Sequence, residues 1–222
     1  DVLIEDGNIT KINKSISIDK AELIQEKGLH ICPGLFDFSV DFGEPGYEHK
    51  ETLQSGCEAA MSGGFTGFGL NPTDTPPRDN KSAVAFCKNF TKNLPIEAFP
   101  FGSLSKDMKG EQLAEMYDMY KAGAVAFTDF NKPIKHSGLL SRALLYSKNF
   151  NGLIISFPHD PTIAPNGQMN EGINSTKMGV EGIPALSEKT FLNRDLFINE
   201  YNEGRIHFNI ISTSSSNNNC SV

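Results

Sequence analysis

The stretch Gly34-Leu35-Phe36-Asp37-Phe38-Ser39-Val40-Asp41-Phe42-Gly43-Glu44-Pro45-Gly46-Tyr47-Glu48-His49-Lys50-Glu51-Thr52 opens a pattern that repeats through most of the chain. Its apolar run, 35–42, has the length of a strand and stops at a Gly/Pro turn, and the segment 48–62 behind it carries apolar residues at helical spacing. A short apolar run that passes through a turn into a helix-length segment is one βα unit. Outward from it, apolar runs recur at about 65–71, 96–101, 123–128, 153–157 and 206–211, with helix-length segments 80–92, 109–121, 136–149 and 180–201 between them. The expected fold class is therefore α/β, a parallel sheet with helices laid on it. In 109–121, Leu113, Met116, Tyr117 and Tyr120 are expected on one buried face, with Glu111, Glu115 and Asp118 turned away from it.

At the N-terminal side, Asp1 to Ile12 is two short apolar runs around Asp6-Gly7, the strongest local signal for a β-hairpin. Residues 1–31 are read as part of a small β-subdomain and 32–213 as the βα region. The polar, low-complexity segment 214–222 is expected to be a disordered tail or a truncation end.

Hydrophobic residues make up 38% of the 222 positions, enough to bury a core, so a folded domain is expected rather than a disordered chain. The net charge of −7 excludes the basic footprint that a nucleic-acid or anionic-membrane surface requires. No apolar window reaches the length of a membrane span and the start has no signal pattern, which makes a cytoplasmic location the expectation. Cys32, Cys57, Cys87 and Cys220 form no C-x-x-C pair, so neither a zinc knuckle nor a redox motif is indicated. No Gly-x-Gly-x-x-Gly follows the first run, which leaves a dinucleotide fold without support.

The run 33–52 resembles the opening motif of the dihydroorotases of the amidohydrolase superfamily, P-G-x-x-D-x-H-x-H-x-R-E-P-G-x-E-x-K-E. Asn71-Pro72-Thr73-Asp74-Thr75-Pro76-Pro77 is similar to that family's M-P-N-T-x-P-P. Gly123 to Asp129 is similar to G-A-x-A-F-[ST]-D, and Arg205 to Thr213 to V-H-F-x-H-I-S-T. The resemblance implies a (β/α)8 TIM-type barrel, of which about six βα units are present here, with a small β-sandwich subdomain. It also implies metal-assisted hydrolysis of a cyclic amide, which needs imidazoles and carboxylates converging from several strand ends to activate a water.

Those groups are what the chain lacks. Ser39 and Asp41 stand where the family has two ligand histidines, Phe157 and Ile210 where it has two more, and Asp129 alone matches a metal-bridging position. Gly43 replaces the arginine, and Thr73 the asparagine, that hold the substrate. The expected site is thus vestigial (Ser39, Asp41, Asp129, Phe157, Ile210), with no catalytic residue, no metal and no cofactor, and with Phe157 and Ile210 filling former metal space. The alternative is an active cyclic-amide hydrolase with one divalent metal on Asp41, Asp129 and His159. By resemblance, an inactive member is a structural or regulatory companion of aspartate carbamoyltransferase and part of an oligomer. His30, His49 and His136 are expected in solvent, and His207 is expected not to replace a ligand at 210.

Overall fold

The computed structural model describes residues 1–25, 28, 30–213 and 216; the expectation for the tail 214–222 lies outside them, apart from Ser216. The chain divides into two compact units, Asp1–Pro33 and Gly34–Val222.

In the first unit, β1 (Val2–Glu5) and β2 (Asn8–Ile12) form an antiparallel hairpin. Asp6 and Gly7 both take positive φ, 50° and 76°, the geometry that matches a two-residue turn to the twist of its strands. Asp1 closes the open end: its ammonium donates to the Asn13 carbonyl at 2.7 Å and its carboxylate accepts from the Ile16 N–H at 3.0 Å.

In the second unit, each apolar run becomes a parallel strand. They are β3 (Leu35–Val40), β4 (Phe65–Leu70), β5 (Glu97–Gly102), β6 (Ala126–Thr128), β7 (Leu153–Ser156) and, after an insertion, β10 (Arg205–Phe208). Their order is β10-β7-β6-β5-β4-β3, so every strand is laid beside the last by a helical crossover. The crossovers are α1 (Leu53–Ser62), α2 (Lys81–Phe90), α3 (Met116–Lys121), α4 (Ser137–Ser147) and α6 (Ala185–Asn202). Between β7 and α6 sits an insertion not legible in the periodicity: β8 (Met169–Asn170) pairs in parallel with β9 (Gly182–Ile183) around α5 (Ile173–Met178).

The sheet curls. The Phe38 ring of β3 lies 4.9 Å from the His207 ring of β10, so the two edge strands meet across the concave face. That face is lined by rings: Phe36 packs on Phe99 and Phe38 on Phe101. β4 makes room for them with glycine, since a Cβ at Gly69 would stand 2.3 Å from the Phe38 carbonyl oxygen and 2.6 Å from the Phe101 ring. On the convex face, Leu53, Cys57, Phe68 and Leu70 form one core under α1 and α2. Met116, Met119, Phe127, Leu140 and Ile154 belong to a second, under α3 and α4. Helix starts follow their caps: Thr52 accepts from the Ser55 N–H, and Asn80 Oδ1 from the N–H groups of Ser82 and Ala83.

The segment 109–121 differs from expectation. Only Met116–Lys121 is helical, because Leu113 is drawn into a β-bridge with Ser105. The buried line runs through Met116 and Met119, both 0% exposed, while Tyr117 and Tyr120 stay 40% and 41% exposed. Cys57 and Cys87 are buried thiols and Cys32 is exposed. Among the described residues no helix is long and apolar enough to cross a membrane.

Candidate functional site

The expected site residues follow the C-terminal ends of the parallel strands, and the polar ones are held by neighbours there. At the end of β3, Ser39 Oγ accepts from Asn71 Nδ2 at 3.0 Å, and Asp41 Oδ1 accepts from Thr73 Oγ1 at 2.5 Å. The two positions read as a lost ligand and a lost substrate contact, Asp41 and Thr73, are thus bonded to each other. Gly43 has φ +73°, and the Tyr47 N–H donates to its carbonyl at 2.6 Å. A side chain returned to that position would begin in a strained left-handed backbone.

Asp129 follows β6 directly, is 3% exposed and is bonded within its own scaffold. Oδ1 accepts from the N–H groups of Leu104 (3.1 Å) and Ser105 (2.9 Å), and Oδ2 from Ser105 Oγ at 2.5 Å. Burial raises its carboxyl above the usual range, opposed by those hydrogen bonds. Asp129 therefore ties the loop after β5 to the end of β6. Asp129→Asn is expected to cost about 1–2 kcal/mol, because an amide keeps one acceptor and turns the other into a donor facing Ser105. In urea unfolding the variant's midpoint should fall, and added zinc should move neither protein; a zinc-dependent shift in the wild type alone would make Asp129 a metal ligand.

After β7, Phe157 is stacked on His159, with ring centroids 5.4 Å apart at 18°. The Ser187 hydroxyl donates to the Asp160 carbonyl at 2.8 Å, which leaves its oxygen to accept from His159 Nδ1 at 3.0 Å. After β10, Ile210 is 52% exposed at φ +57°. Phe157 and Ile210, expected to fill an apolar lower site, are held differently: Phe157 packs on a ring, whereas the backbone leaves extended geometry after Phe208 and Ile210 stands half exposed. His207 faces Phe38, and burial lowers its pKa below the usual imidazole value. His30, His49 and His136 are exposed. Asp41, Asp129 and His159 have separate partners, and among the described residues no three His, Cys, Asp or Glu side chains gather as a metal-holding group.

Three buried polar clusters near these loops were not foreseen. Arg78 is 0% exposed and its Nη1 donates to the carbonyls of Leu70 (3.0 Å) and Phe101 (3.1 Å), the ends of β4 and β5. Its Nη2 lies 2.7 Å from Asp74 Oδ2, a charge contact off the hydrogen-bond axis. Burial pushes the Asp74 carboxyl up to about 6 against the pull of Arg78, with Asp41 adding to the rise. The i, i+4 spacing of Asp74 and Arg78 was the available signal, masked by the prolines between them. On α6, Glu188 accepts from the N–H and hydroxyl of both Ser212 and Thr213, at 2.7–3.2 Å. Burial alone would raise its pKa, but the combined hydrogen bonds, with one from Ser216, bring it down to about 2. Asp195 is 0% exposed, accepts from Ser156 Oγ at 2.6 Å and pairs with Arg194, and burial raises its carboxyl.

Comparison with known proteins agrees with this scaffold. The fold is similar to that of an L-hydantoinase (dihydropyrimidinase) from Arthrobacter aurescens, with TM-score 0.66 at 17% identity over 83% of this chain and 43% of that one. It is also similar to a Saccharomyces cerevisiae dihydroorotase solved with 5-fluoroorotic acid, with TM-score 0.55 at 16% identity over 85% of this chain and 52% of that one. The curled sheet is thus part of a TIM-type barrel fold. In sequence, the chain is 41% identical to a dihydroorotase of Acetivibrio thermocellus across 96% of its own length, and 38% identical to one of Pelotomaculum thermopropionicum across 97%. It spans about half the length of each, 50% and 51%. The sequence profile described as "Dihydro-orotase-like" matches residues 28–216, every strand of the curled sheet included, and on that match the chain belongs to the dihydroorotase-like family.

Proposed function

We propose that this chain is a non-catalytic member of the family, acting in pyrimidine biosynthesis as a structural or regulatory companion of aspartate carbamoyltransferase. One observation carries the reading: the carboxylates left at the strand ends are committed to the scaffold. Asp41 is bonded to Thr73, and Asp129 is bonded to Ser105 and Leu104. The residues at the other ligand positions are a serine bonded to an amide, a phenylalanine stacked on a histidine and a half-exposed isoleucine. This donor set does not fit a zinc or two-metal centre, which needs neutral imidazoles and free carboxylates aimed at one point. A serine hydroxyl stays protonated near neutral pH, and phenylalanine and isoleucine offer no lone pair.

The scaffold, by contrast, is kept. The turn at 43–47, the capped start of α1 and the crossover order of the sheet all form. A fold retained while its reacting groups are replaced supports a role through surface rather than pocket. The full-length protein, purified without chelators, is expected to carry less than one tenth of a metal per chain and to turn over neither dihydroorotate nor carbamoyl-aspartate. Mixed with the aspartate carbamoyltransferase of its own organism at micromolar concentration, it should co-elute in size-exclusion chromatography. One metal per chain, removable by chelator with loss of a hydrolase activity, would replace this reading by the single-metal one. Two independent peaks with unchanged carbamoyltransferase kinetics would remove the companion role.

A further inference from the structure

Five buried side-chain atoms have no hydrogen-bond partner among the described residues, and four of them fall on three residues that are already tied together: Nε and Nη2 of Arg78, Oδ2 of Asp74 and Oγ of Ser103. The ties lie at the ends of β4 and β5. The Ser103 N–H donates to the Arg78 carbonyl at 2.8 Å, and Arg78 Nη1 donates to the carbonyls of Leu70 and Phe101. Arg78 Nη2 stands 2.7 Å from Asp74 Oδ2 without the alignment of a hydrogen bond. Arg78 and Ser103 are 0% exposed and Asp74 is 4% exposed. The place is interior, so any further chain or partner adds cover to it and removes none.

Each such atom carries the full desolvation penalty of its group, and four in one neighbourhood point to a ligand between them. The direction of their hydrogen bonds defines its chemistry. Nε–H and Nη2–H are the parallel donors of a guanidinium fork and call for an acceptor. The Asp74 carboxylate oxygen calls for a donor, and the Ser103 hydroxyl takes either role. A halide or phosphate only accepts, and would stand against the charge of Asp74. An ammonium or metal cation would stand against Arg78. The Cys87 thiol of α2, which also faces Arg78, is too weak an acceptor to satisfy the fork. One water molecule has the matching valence: two lone pairs for the fork, one O–H for Asp74 Oδ2 and one for Ser103 Oγ.

We propose that Arg78, Asp74 and Ser103 form a binding site for a single internal water, which completes the buried ion pair and joins the loop after β4 to the end of β5. A charge contact of poor direction becomes a closed set of hydrogen bonds, which is the condition for a buried pair to hold without a large desolvation penalty. Ser103 gains a role as the fourth partner, one that its backbone bond to Arg78 does not supply. The inference does not rest on the companion role proposed above.

The sign of one substitution tests the site. Were Ser103 Oγ without a partner, Ser103→Ala would remove a desolvated hydroxyl, and the urea midpoint of the full-length protein would hold or rise. With the water bound, the same change takes away one of its partners and the midpoint should fall. A crystal structure of the full-length protein grown in sodium bromide, with data collected at the bromine absorption edge, identifies the occupant. The expected result is a density peak within hydrogen-bonding distance of all four atoms and without anomalous signal. Anomalous signal at that peak would assign the site to an anion and overturn the proposal. So would the absence of any peak, which would show that the side chains satisfy one another directly, and so would a midpoint that holds or rises in Ser103→Ala.

Discussion

Arg78→Met should destabilise this protein by about 3–5 kcal/mol, the largest effect expected of any single substitution here, because it leaves Asp74 as an unpaired charge in a closed site. It also strips the carbonyls of Leu70 and Phe101 of their donor. The double variant Asp74→Leu/Arg78→Met should be far milder, since an apolar pair carries no desolvation penalty. Urea midpoints of the three proteins decide it: a double variant as unstable as the single one would mean that the carbonyl contacts, rather than the ion pair, dominate. The pH dependence has a definite sign. With its carboxyl raised from 3.8 to about 6, the folded state favours neutral Asp74. The contribution is full below about 3.8 and is lost as pH rises through about 6. Asp129 and Asp195, also raised by burial, slope the same way, so the measurement is the difference between wild type and Asp74→Asn, which should flatten between pH 4 and 6.

Glu188→Ala should cost about 3–4 kcal/mol, since four donors on Ser212 and Thr213 lose one charged acceptor together. The sign is opposite. With a pKa brought from 4.5 down to about 2, its contribution is present above about 4.5 and lost as pH falls through about 2. Hydrogen exchange should place the change locally, with amides 212 and 213 exchanging at least tenfold faster in the variant while those of β4 and β5 follow global stability. Unchanged protection at 212 and 213 would show that Glu188 does not hold the chain after β10.

The strands were legible because each is a compact apolar run, the form a parallel strand covered by a crossover helix takes. The turn at Asp6-Gly7 was legible for its local chemistry alone. What escaped depended on partners distant in sequence. Leu113 has helical periodicity with Met116, but Ser105, held by Asp129, draws it into a bridge. Tyr117 and Tyr120 have the spacing of a buried face, yet Met116 and Met119 are the residues that fill the core. The burial of Arg78 and Glu188 was not foreseen, and only the fold reveals that strand-end carbonyls or loop hydroxyls replace the water. The candidate site was legible as a set of absences. Where the remaining carboxylates point was not, because a hydrogen bond such as that from Thr73 to Asp41 joins two strand-end loops across 32 residues.

Ile210 carries a consequence for what holds the bend after β10. A β-branched residue at φ +57° occupies backbone that histidine, asparagine and glycine enter far more readily, at a penalty of about 1–2 kcal/mol. The isoleucine therefore works against the bend it sits in. What opposes that strain lies two and three residues further on, where Glu188 accepts from Ser212 and Thr213. Bend and anchor form one mechanical unit, a loaded joint and its clasp, and opening the clasp is the route by which the joint would straighten.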